Sequence, residues 1–426
     1  MQESSSQKKI SSKTLVVIGG GAAGFFCAVN AARLHPGLNV IILEKTGKVL
    51  SKVKVSGGGR CNVTHACFDI REMSENYPRG KNFVKKTFHQ FFTTDTITWF
   101  EERDVILKTE DDGRMFPVTD SSQTIIDCLL LEASQYNVDL RLNVEVKKLE
   151  KNGDRFMIHL ANNKHLQSDF VCVASGGYSK AEMFNWLTDL GHTIAEPVPS
   201  LFTFNLPAGK AGPSKHPITA LMGISVENTR VKIEGTKLVE EGPLLITHWG
   251  LSGPVILKLS AWGARELHKM NYHFKVHINW MPAENDQTLK AMIQGLRIGS
   301  PAKKMINLNF SHLPARLWEF FLVQSSIDPE KRLSELPAKQ ENQLIKTLVD
   351  YIAEVRGKTT FKEEFVTAGG ILLSEVDANT MMSKKVPGLF FAGEILDVDG
   401  ITGGFNFQHA WTSGFVAAKG VGSRET

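Results

Sequence analysis

The sequence predicts an α/β protein whose main domain is assembled from both ends of the chain. Three observations lead to this fold class. A strand, a glycine-rich turn, a helix and a second strand follow one another at the start of the chain. A strand, several glycines and a helix return near its end. Between them, short alternating strands and then helical periodicity predict an inserted β-rich domain and a small helical subdomain.

The first element carries a glycine motif that is typical of dinucleotide binding. Thr14–Ile18 is a continuous apolar run, as expected for a parallel strand that is buried on both faces. Residues 19–24 then fit GxGxxG and precede a helix rich in small side chains. A second strand, Asn39–Leu43, ends at Glu44. This order predicts a pyrophosphate at the helix N-terminus and a ribose at the carboxylate.

The three motif glycines have separate expected roles. Gly19 allows the tight turn, Gly21 lets the backbone approach the pyrophosphate, and Gly24 lets the helix pack closely on the strand. Because FAD and NAD(P) share the same adenosine pyrophosphate, this motif alone does not choose between them.

Two further glycine segments favour FAD. Residues 56–62 (SGGGRCN) form a second glycine loop, where a longer cofactor needs close backbone approach. Near the end of the chain, residues 386–392 predict a turn and a buried strand, which ends in Gly393 and Glu394. A glycine loop and a helix follow, and the helix dipole can face the flavin pyrimidine edge, where negative charge collects on reduction. One FAD bound by both chain ends implies a split domain.

These segments resemble the BaiN-like (YhiN-like) NAD(P)/FAD-dependent oxidoreductases, a family within the glutathione-reductase-type flavoprotein fold. The resemblance covers nearly the whole chain and rests on VVIGGGAAG, SGGGRCNVTH, GRMFPVTDSS, THWGLSGPVIL and FAGEILDVDGITGGFNFQHAWTSG. Two positions depart from the family pattern: Lys52 follows Ser51 rather than glycine or arginine, and His65 replaces a usual asparagine. The resemblance implies a Rossmann-type FAD-binding domain, a β-barrel-like insert and a helical subdomain over the flavin, with substrate bound where the domains meet.

The predicted elements divide the chain into five segments. The FAD-binding domain takes residues 14–196 and 367–426. The β-rich insert takes residues 197–281 and returns at 356–366, and the helical subdomain takes 282–355.

The residues expected to bind FAD lie at strand ends, in glycine loops and at helix starts. From the motifs and the resemblance together, they are Gly19, Gly21, Ala22, Ala23, Gly24, Glu44, Lys45, Lys52, Ser56, Gly57, Gly58, Gly59, Arg60, Cys61, Asn62, Val146, Ser175, Gly176, Gly177, Gly393, Glu394, Asp397, Gly403, Gly404, Phe405, Asn406 and Gln408.

Because a flavin carries the hydride chemistry itself, no obligatory catalytic side chain is expected. Two side chains are candidates. Cys61 follows the flavin loop, but its spacing to Cys67 does not match a CxxxxC redox pair, which favours a loop cysteine without redox function. His248 lies in a loop of the insert, where it can protonate a substrate or only stabilise a turn.

The sequence leaves three functions open. The first is an FAD-dependent reductase that passes a hydride from NAD(P)H to a small, enone-like electrophile. Residues 201–360 contain no second GxGxxG, so NAD(P)H is expected to bind only transiently. The second is an amine oxidase that uses oxygen. The third is a non-redox flavin-binding protein related to RNA modification.

Composition limits the partners and the compartment. Because 49 basic and 45 acidic residues are spread along the chain, we do not expect a nucleic-acid partner. We expect a small-molecule substrate instead. Five cysteines, an odd number without metal-ligand spacing, predict reduced thiols in a cytoplasmic protein and no metal site. The N-terminal residues are polar, which predicts that they are not a signal peptide. The sequence has no long apolar run, which predicts that no helix spans a membrane. The oligomeric state stays open.

Overall fold

The computed structural model describes residues 13–207, 216–308, 313–359 and 366–422. Numbered along the chain, the strands are β1 (Thr14–Ile18), β2 (Asn39–Leu43), β3 (Thr64–His65), β4 (Leu107–Thr109), β5 (Arg114–Pro117), β6 (Asp139–Arg141), β7 (Val146–Asn152), β8 (Arg155–Leu160), β9 (His165–Ser168), β10 (Phe170–Val173), β11 (Ile194–Ser200), β12 (Thr203–Asn205), β13 (Ser225–Ile233), β14 (Val239–Ile246), β15 (Gly250–Ser252), β16 (His273–Asn279), β17 (Tyr351–Arg356), β18 (Lys358–Thr359), β19 (Val366–Ile371) and β20 (Leu389–Phe391).

The α-helices are α1 (Ala22–Leu34), α2 (Ser51–Gly59), α3 (Ile70–Glu75), α4 (Lys81–Phe88), α5 (Thr93–Glu101), α6 (Ser122–Gln135), α7 (Asn185–Thr188), α8 (Pro254–Trp262), α9 (Ala264–Lys269), α10 (Asp286–Gly299), α11 (Ala315–Gln324), α12 (Ala338–Val349) and α13 (Phe405–Gly422). The chain divides into two compact units, which are residues 1–198 with 362–426 and residues 199–361. The five predicted segment limits stay predictions.

The first unit is built on a parallel sheet, in which the described strands follow the order β20-β10-β1-β2-β6. Strand β1 lies in the middle, and its apolar side chains are buried because helices cover such sheets on both faces. Helix α1 packs along helix α13, so that the two ends of the chain share one core. The predicted Rossmann-type FAD-binding α/β fold is confirmed.

The second unit contains an antiparallel sheet, whose order over the residues described there is β17-β16-β13-β14-β15-β12-β18. Alternate side chains of β13 and β16 point into its core, as their period-two sequence pattern predicts. Helices α10, α11 and α12 add apolar faces around Trp280 and Phe321 to the same core. Within the described ranges, no helix is long and apolar enough to cross a membrane.

Candidate functional site

Two glycines of the first motif are required by backbone packing. Gly19 has a φ of +116°, and a Cβ there would lie 2.4 Å from the carbonyl oxygen of Ala174, which directly follows the neighbouring strand β10. A Cβ on Gly24 would lie 2.0 Å from the carbonyl oxygen of Gly19. Both contacts are with backbone, which cannot move aside. The turn and the close helix–strand packing therefore have the geometry that the motif predicts.

Gly21 is different, because its side-chain position is open. It precedes α1 in an extended conformation (φ −91°, ψ −173°), and a Cβ there would meet no atom within 4 Å. The first intrahelical bond runs from the Phe25 N–H to the Gly21 carbonyl. The N–H groups of Ala22 and Ala23 therefore have no intrahelical acceptor, as in the first turn of any helix. Open space beside free helix N–H groups fits a pyrophosphate.

Glu44 is held in place at the end of β2. Its Oε2 accepts a hydrogen bond from the Gly20 N–H at 2.9 Å. Its Oε1 accepts from both the N–H and the hydroxyl of Thr46, each at 2.9 Å. Each carboxylate oxygen can accept further bonds. The side chain is therefore oriented by the first glycine turn and retains capacity for ribose hydroxyls.

The C-terminal segment meets the first motif directly. Strand β20 pairs with β10 in parallel and ends at Phe391, two residues before Gly393. A Cβ on Gly393 would lie 2.8 Å from the Cβ of Ala23 in the first turn of α1. Next to it, Glu394 accepts a hydrogen bond from the Thr367 N–H at 2.8 Å and pairs with Lys52 Nζ at 2.6 Å. Two halves of the predicted site, about 370 residues apart in sequence, therefore lie together.

The second glycine loop interrupts α2. Residues 56–58 leave helical geometry, with positive φ at Gly57 and Gly58. A Cβ on Gly57 would lie 2.7 Å from the Phe116 ring, whereas Gly58 and Gly59 have no atom within 4 Å of that position. Arg60 closes the loop by covering the Phe116 ring at 4.0 Å and donating to Glu110 at 2.5 Å. Its guanidinium therefore fixes the loop within the protein.

Cys61 is buried and poorly suited to thiol chemistry. It is inaccessible to solvent and has a φ of +63°. Burial raises the pKa of its thiol to about 12, so the thiolate is scarce at neutral pH. This environment favours the non-redox interpretation of Cys61.

The glycine loop before α13 packs against β3. A Cβ on Gly404 would lie 2.5 Å from the carbonyl of Thr64, so that glycine is required by the protein's own packing. The Asn62 amide, oriented to satisfy both of its atoms, accepts from the Gly404 N–H at 2.9 Å. His65 donates from Nδ1 to the Gly403 carbonyl at 3.0 Å. The loop is thus held by side chains from the second glycine loop and the strand that follows it.

Two predicted cofactor side chains are engaged inside the protein. Gln408 is fully buried and accepts from the hydroxyls of Thr64 at 2.6 Å and Thr96 at 3.0 Å. The Asn406 amide accepts from the Gly400 N–H and donates to the Gly400 carbonyl. Their side chains shape the start of α13, and the groups left for a ligand are backbone N–H donors. The sequence does not reveal this difference.

The other predicted positions fall in several places. Ser175, Gly176 and Gly177 follow the end of β10, and a Cβ on Gly176 would meet no atom within 4 Å. The Asp397 N–H donates to the Ile371 carbonyl. Val146 begins β7, in the antiparallel sheet β7-β8-β9, and Lys45 is exposed just after β2. His248 lies in the second unit, where its ring is 4.5 Å from that of Trp249.

The sequence did not indicate a surface cavity beside β3. This cavity is an open depression of about 630 Å³. It is lined by His65, Ala66, Cys67, Phe68, Asp69, Glu72 and Asn76. Through the bond from His65 to Gly403, this cavity adjoins the glycine loop before α13. Among the described residues, no group of His, Cys, Asp and Glu side chains is arranged to hold a metal ion.

His409 should make the protein sensitive to acid. Its ring is 2% exposed, Nε2 lies 3.3 Å from the Gly393 carbonyl oxygen, and Nδ1 is buried without a partner among the described residues. Burial lowers its pKa from 6.5 to about 4. Because the unfolded chain then binds this proton more tightly, the free energy of unfolding should fall from pH 6.5 to pH 4, by about 3 kcal/mol.

Urea unfolding between pH 7 and pH 4.5 measures this slope. In the His409→Asn variant the slope should be shallower, whereas His89→Asn, which replaces an exposed histidine, should retain the wild-type slope. An unchanged slope in His409→Asn would assign the acid sensitivity to other groups.

Comparison with known proteins adds family-level information. A family model described as "HI0933-like protein Rossmann domain" matches residues 13–420. A ribosomal RNA dihydrouridine synthase of Escherichia coli is 32% identical over 406 residues, which cover 93% of this chain and 95% of that protein. A 3-dehydro-bile acid delta(4,6)-reductase of Clostridium scindens is 27% identical over 411 residues, which cover 94% and 97%.

A solved structure supports the fold. The 3-ketosteroid delta1-dehydrogenase from Sterolibacterium denitrificans is 12% identical to this chain, with a TM-score of 0.50. The match covers 96% of this chain and 99% of that one. At this identity the likeness shows a shared fold.

Proposed function

The chain belongs to the HI0933-like family, and we propose that it is an FAD-dependent reductase that saturates a carbon–carbon double bond conjugated to a carbonyl group. Its class, a flavoprotein oxidoreductase with a Rossmann-type fold, follows from the family. The observation that carries the proposal is the junction of the two chain ends, where Gly393 packs on Ala23 beside the open position at Gly21.

The residues at this junction fit FAD. The N–H groups of Ala22 and Ala23 would bind the pyrophosphate, and Glu44 would accept from the adenosine ribose. The open positions at Gly58 and Gly59 leave room for a ring system near the second glycine loop. The first-turn N–H groups of α13 would donate to the pyrimidine edge.

Bound FAD would supply the hydride transfer, and the chain's own residues have simpler tasks. The first turn of α1 would bind the pyrophosphate, and Glu44 would bind the ribose. The Lys52–Glu394 ion pair fixes the turn after β20 against α2. The start of α13 would direct its N–H donors at the part of the flavin on which negative charge develops on reduction. We propose NAD(P)H as the electron donor. Because residues 201–360 lack a second dinucleotide motif, NAD(P)H would bind only during reduction.

The substrate class is supported by what the names of two relatives have in common. Dihydrouridine differs from uridine by two hydrogens on a carbon–carbon bond that is conjugated to a carbonyl in uridine. A delta(4,6)-reductase of a 3-dehydro-bile acid likewise saturates carbon–carbon bonds in a keto-steroid. A hydride adds to the electron-poor end of such a double bond and a proton to the other end, so one flavin site can serve either ring.

A second candidate substrate is a uridine within ribosomal RNA. The chain is unevenly charged: residues 199–361 contain 20 lysines and arginines against 14 acidic residues, and the remainder contains 29 against 31. A net positive charge on residues 199–361 favours binding of a polyanionic substrate, and the affinity for such a substrate should fall strongly as the salt concentration rises. The whole-chain charge led to the opposite prediction, that no nucleic acid binds. The experiment described next tests both predictions.

Anaerobic stopped-flow reduction tests the proposal. Purified protein should be yellow and release FAD on denaturation, and NADH or NADPH should bleach its flavin absorbance. The reduced protein is then mixed with unmodified ribosomal RNA, with a 4-ene-3-ketosteroid, or with oxygen. Rapid reoxidation by RNA or steroid, with a saturated product by mass spectrometry, supports a reductase of that substrate. Reduction by amines with rapid reoxidation only by oxygen would favour the oxidase, and colourless protein that takes up no FAD would refute the flavoprotein assignment.

A further inference from the structure

One short segment of the first unit contacts both the loop that leads into α13 and the first residue of that helix. We name residues 76–80 (NYPRG), between α3 and α4, the clamp segment, and residues 398–404 the C-terminal glycine loop. They are more than 300 residues apart in sequence, and three clamp residues contact the loop or the first residue of α13: Asn76 contacts Ile401, Tyr77 contacts Phe405, and Arg79 contacts Asp399. The contacts are a backbone hydrogen bond, a buried hydroxyl and a buried ion pair.

The first two contacts fix the end of the loop and the start of the helix. The Asn76 carbonyl accepts from the Ile401 N–H at 2.9 Å. The Tyr77 hydroxyl donates to the Phe405 carbonyl, the first of α13, at 2.6 Å. Tyr77 is 1% exposed, and burial raises its pKa well above the usual value, so the hydroxyl remains protonated and able to donate.

The third contact is a buried ion pair. Arg79 Nε donates to Asp399 Oδ1 at 2.5 Å, and a second guanidinium nitrogen donates to Oδ2. Asp399 is fully buried, and the two residues also form an isolated antiparallel bridge. Removing charges from water is costly, so a buried pair of this kind is weak evidence for stability and better evidence for fixed geometry. A bidentate guanidinium fixes both distance and orientation.

The clamp segment also offsets the negative charge of Asp399 close to the start of α13. Without Arg79, the fully buried Asp399 carboxylate would lose its bidentate guanidinium partner one residue before Gly400, whose N–H and carbonyl both bond Asn406 in the first turn of α13. Such a charge would oppose an anion at this helix N-terminus. The clamp segment therefore both contacts the helix start and offsets the charge of the buried Asp399 carboxylate.

We propose that Tyr77 and Arg79 are positioning residues that raise the reduction potential of the bound flavin by holding the start of α13 against its pyrimidine edge. This rests on the proposed function, since it requires FAD at the junction of the chain ends. Pre-organised N–H donors stabilise charge only where their geometry is fixed before the charge appears. Reduction places that charge on the pyrimidine, so a loosened clamp should weaken binding of reduced FAD more than binding of oxidised FAD.

The test compares the affinity of the protein for oxidised and chemically reduced FAD, which needs neither substrate nor donor. Tyr77→Phe retains the ring and removes one hydroxyl, whose hydrogen bond is of ordinary strength, so the ratio of the reduced to the oxidised Kd should rise about fivefold. Arg79→Lys retains the charge but loses the bidentate geometry and should shift the ratio in the same direction. Tyr136→Phe, at the C-terminal end of α6, is the matched control and should retain the wild-type ratio.

The outcomes separate the two proposals. FAD bound at full occupancy with a raised ratio in Tyr77→Phe and Arg79→Lys supports positioning. If both variants retain the wild-type ratio, or bind oxidised and reduced FAD with equally weakened affinity, the clamp segment is only a structural contact. That outcome would overturn this proposal and leave the proposed function standing. If Tyr77→Phe does not fold, the ratio for Arg79→Lys decides. Wild-type protein that binds no FAD would overturn the proposed function and this inference together.

Discussion

Gly21→Val is expected to weaken FAD binding at least 100-fold while leaving the fold intact. The backbone at Gly21 is extended with a negative φ, and a Cβ there meets no atom within 4 Å, so a side chain causes neither strain nor a clash within the protein. It would, however, fill the space in front of the first turn of α1. Losing two hydrogen bonds from a charged pyrophosphate, each contributing about 1.5–3 kcal/mol, corresponds to a factor of roughly 100 or more.

Isothermal titration of apoprotein with FAD measures the affinity, and circular dichroism measures the fold. Gly37→Val is the matched control, because Gly37 is exposed after α1, lacks a positive φ and also has no atom within 4 Å of its Cβ position. It should bind FAD like the wild type. Normal affinity in Gly21→Val would show that the first turn of α1 does not bind the pyrophosphate.

Glu44→Arg is expected to weaken FAD binding by about 10- to 100-fold, since charge-assisted hydrogen bonds to the ribose each contribute about 1.5–3 kcal/mol. The replacement also removes the acceptor of the Gly20 N–H and of Thr46, so the melting temperature should fall by a few degrees, as for a loss of about 1 kcal/mol. The measurements are the FAD dissociation constant and thermal unfolding of the apoprotein.

Thr46→Val separates the two effects of Glu44. It removes the hydroxyl that donates to Glu44 Oε1 and leaves the carboxylate and its bond from Gly20 in place. If Glu44 binds the ribose, Thr46→Val should retain most of the FAD affinity. A loss equal to that in Glu44→Arg would mean that loop stability, and not ribose recognition, explains the effect.

Much of the first half of the site could be predicted because it is local in sequence. Strand β1, the glycine turn, α1 and β2 occupy consecutive residues, and each glycine role depends on neighbours within a few residues or on the adjacent strand. The period-two pattern likewise predicted the β-rich second unit. Such patterns are reliable because backbone sterics and burial act on neighbouring residues, whatever the rest of the chain does.

The C-terminal half shows where this reasoning stops. Gly404 was expected to bind FAD, and the structure shows a separate reason for a glycine there, since its side-chain position is already filled by the Thr64 carbonyl. Gln408 was expected to face the cofactor, yet its amide is fully buried against Thr64 and Thr96. The composition of the segment was informative, but the partner of each residue lies more than 300 residues away in sequence.

The sequence by itself therefore determined the fold class, the glycine motifs and the family of this protein. Only the tertiary structure decided what remains for a ligand, namely open space at Gly21 and backbone donors at the start of α13, and what does not, such as the buried thiol of Cys61. It also revealed the contacts of Tyr77 and Arg79 with the C-terminal glycine loop. The physical reason is that a motif constrains its own backbone, whereas hydrogen-bond partners and burial depend on which distant segments the packed core brings together.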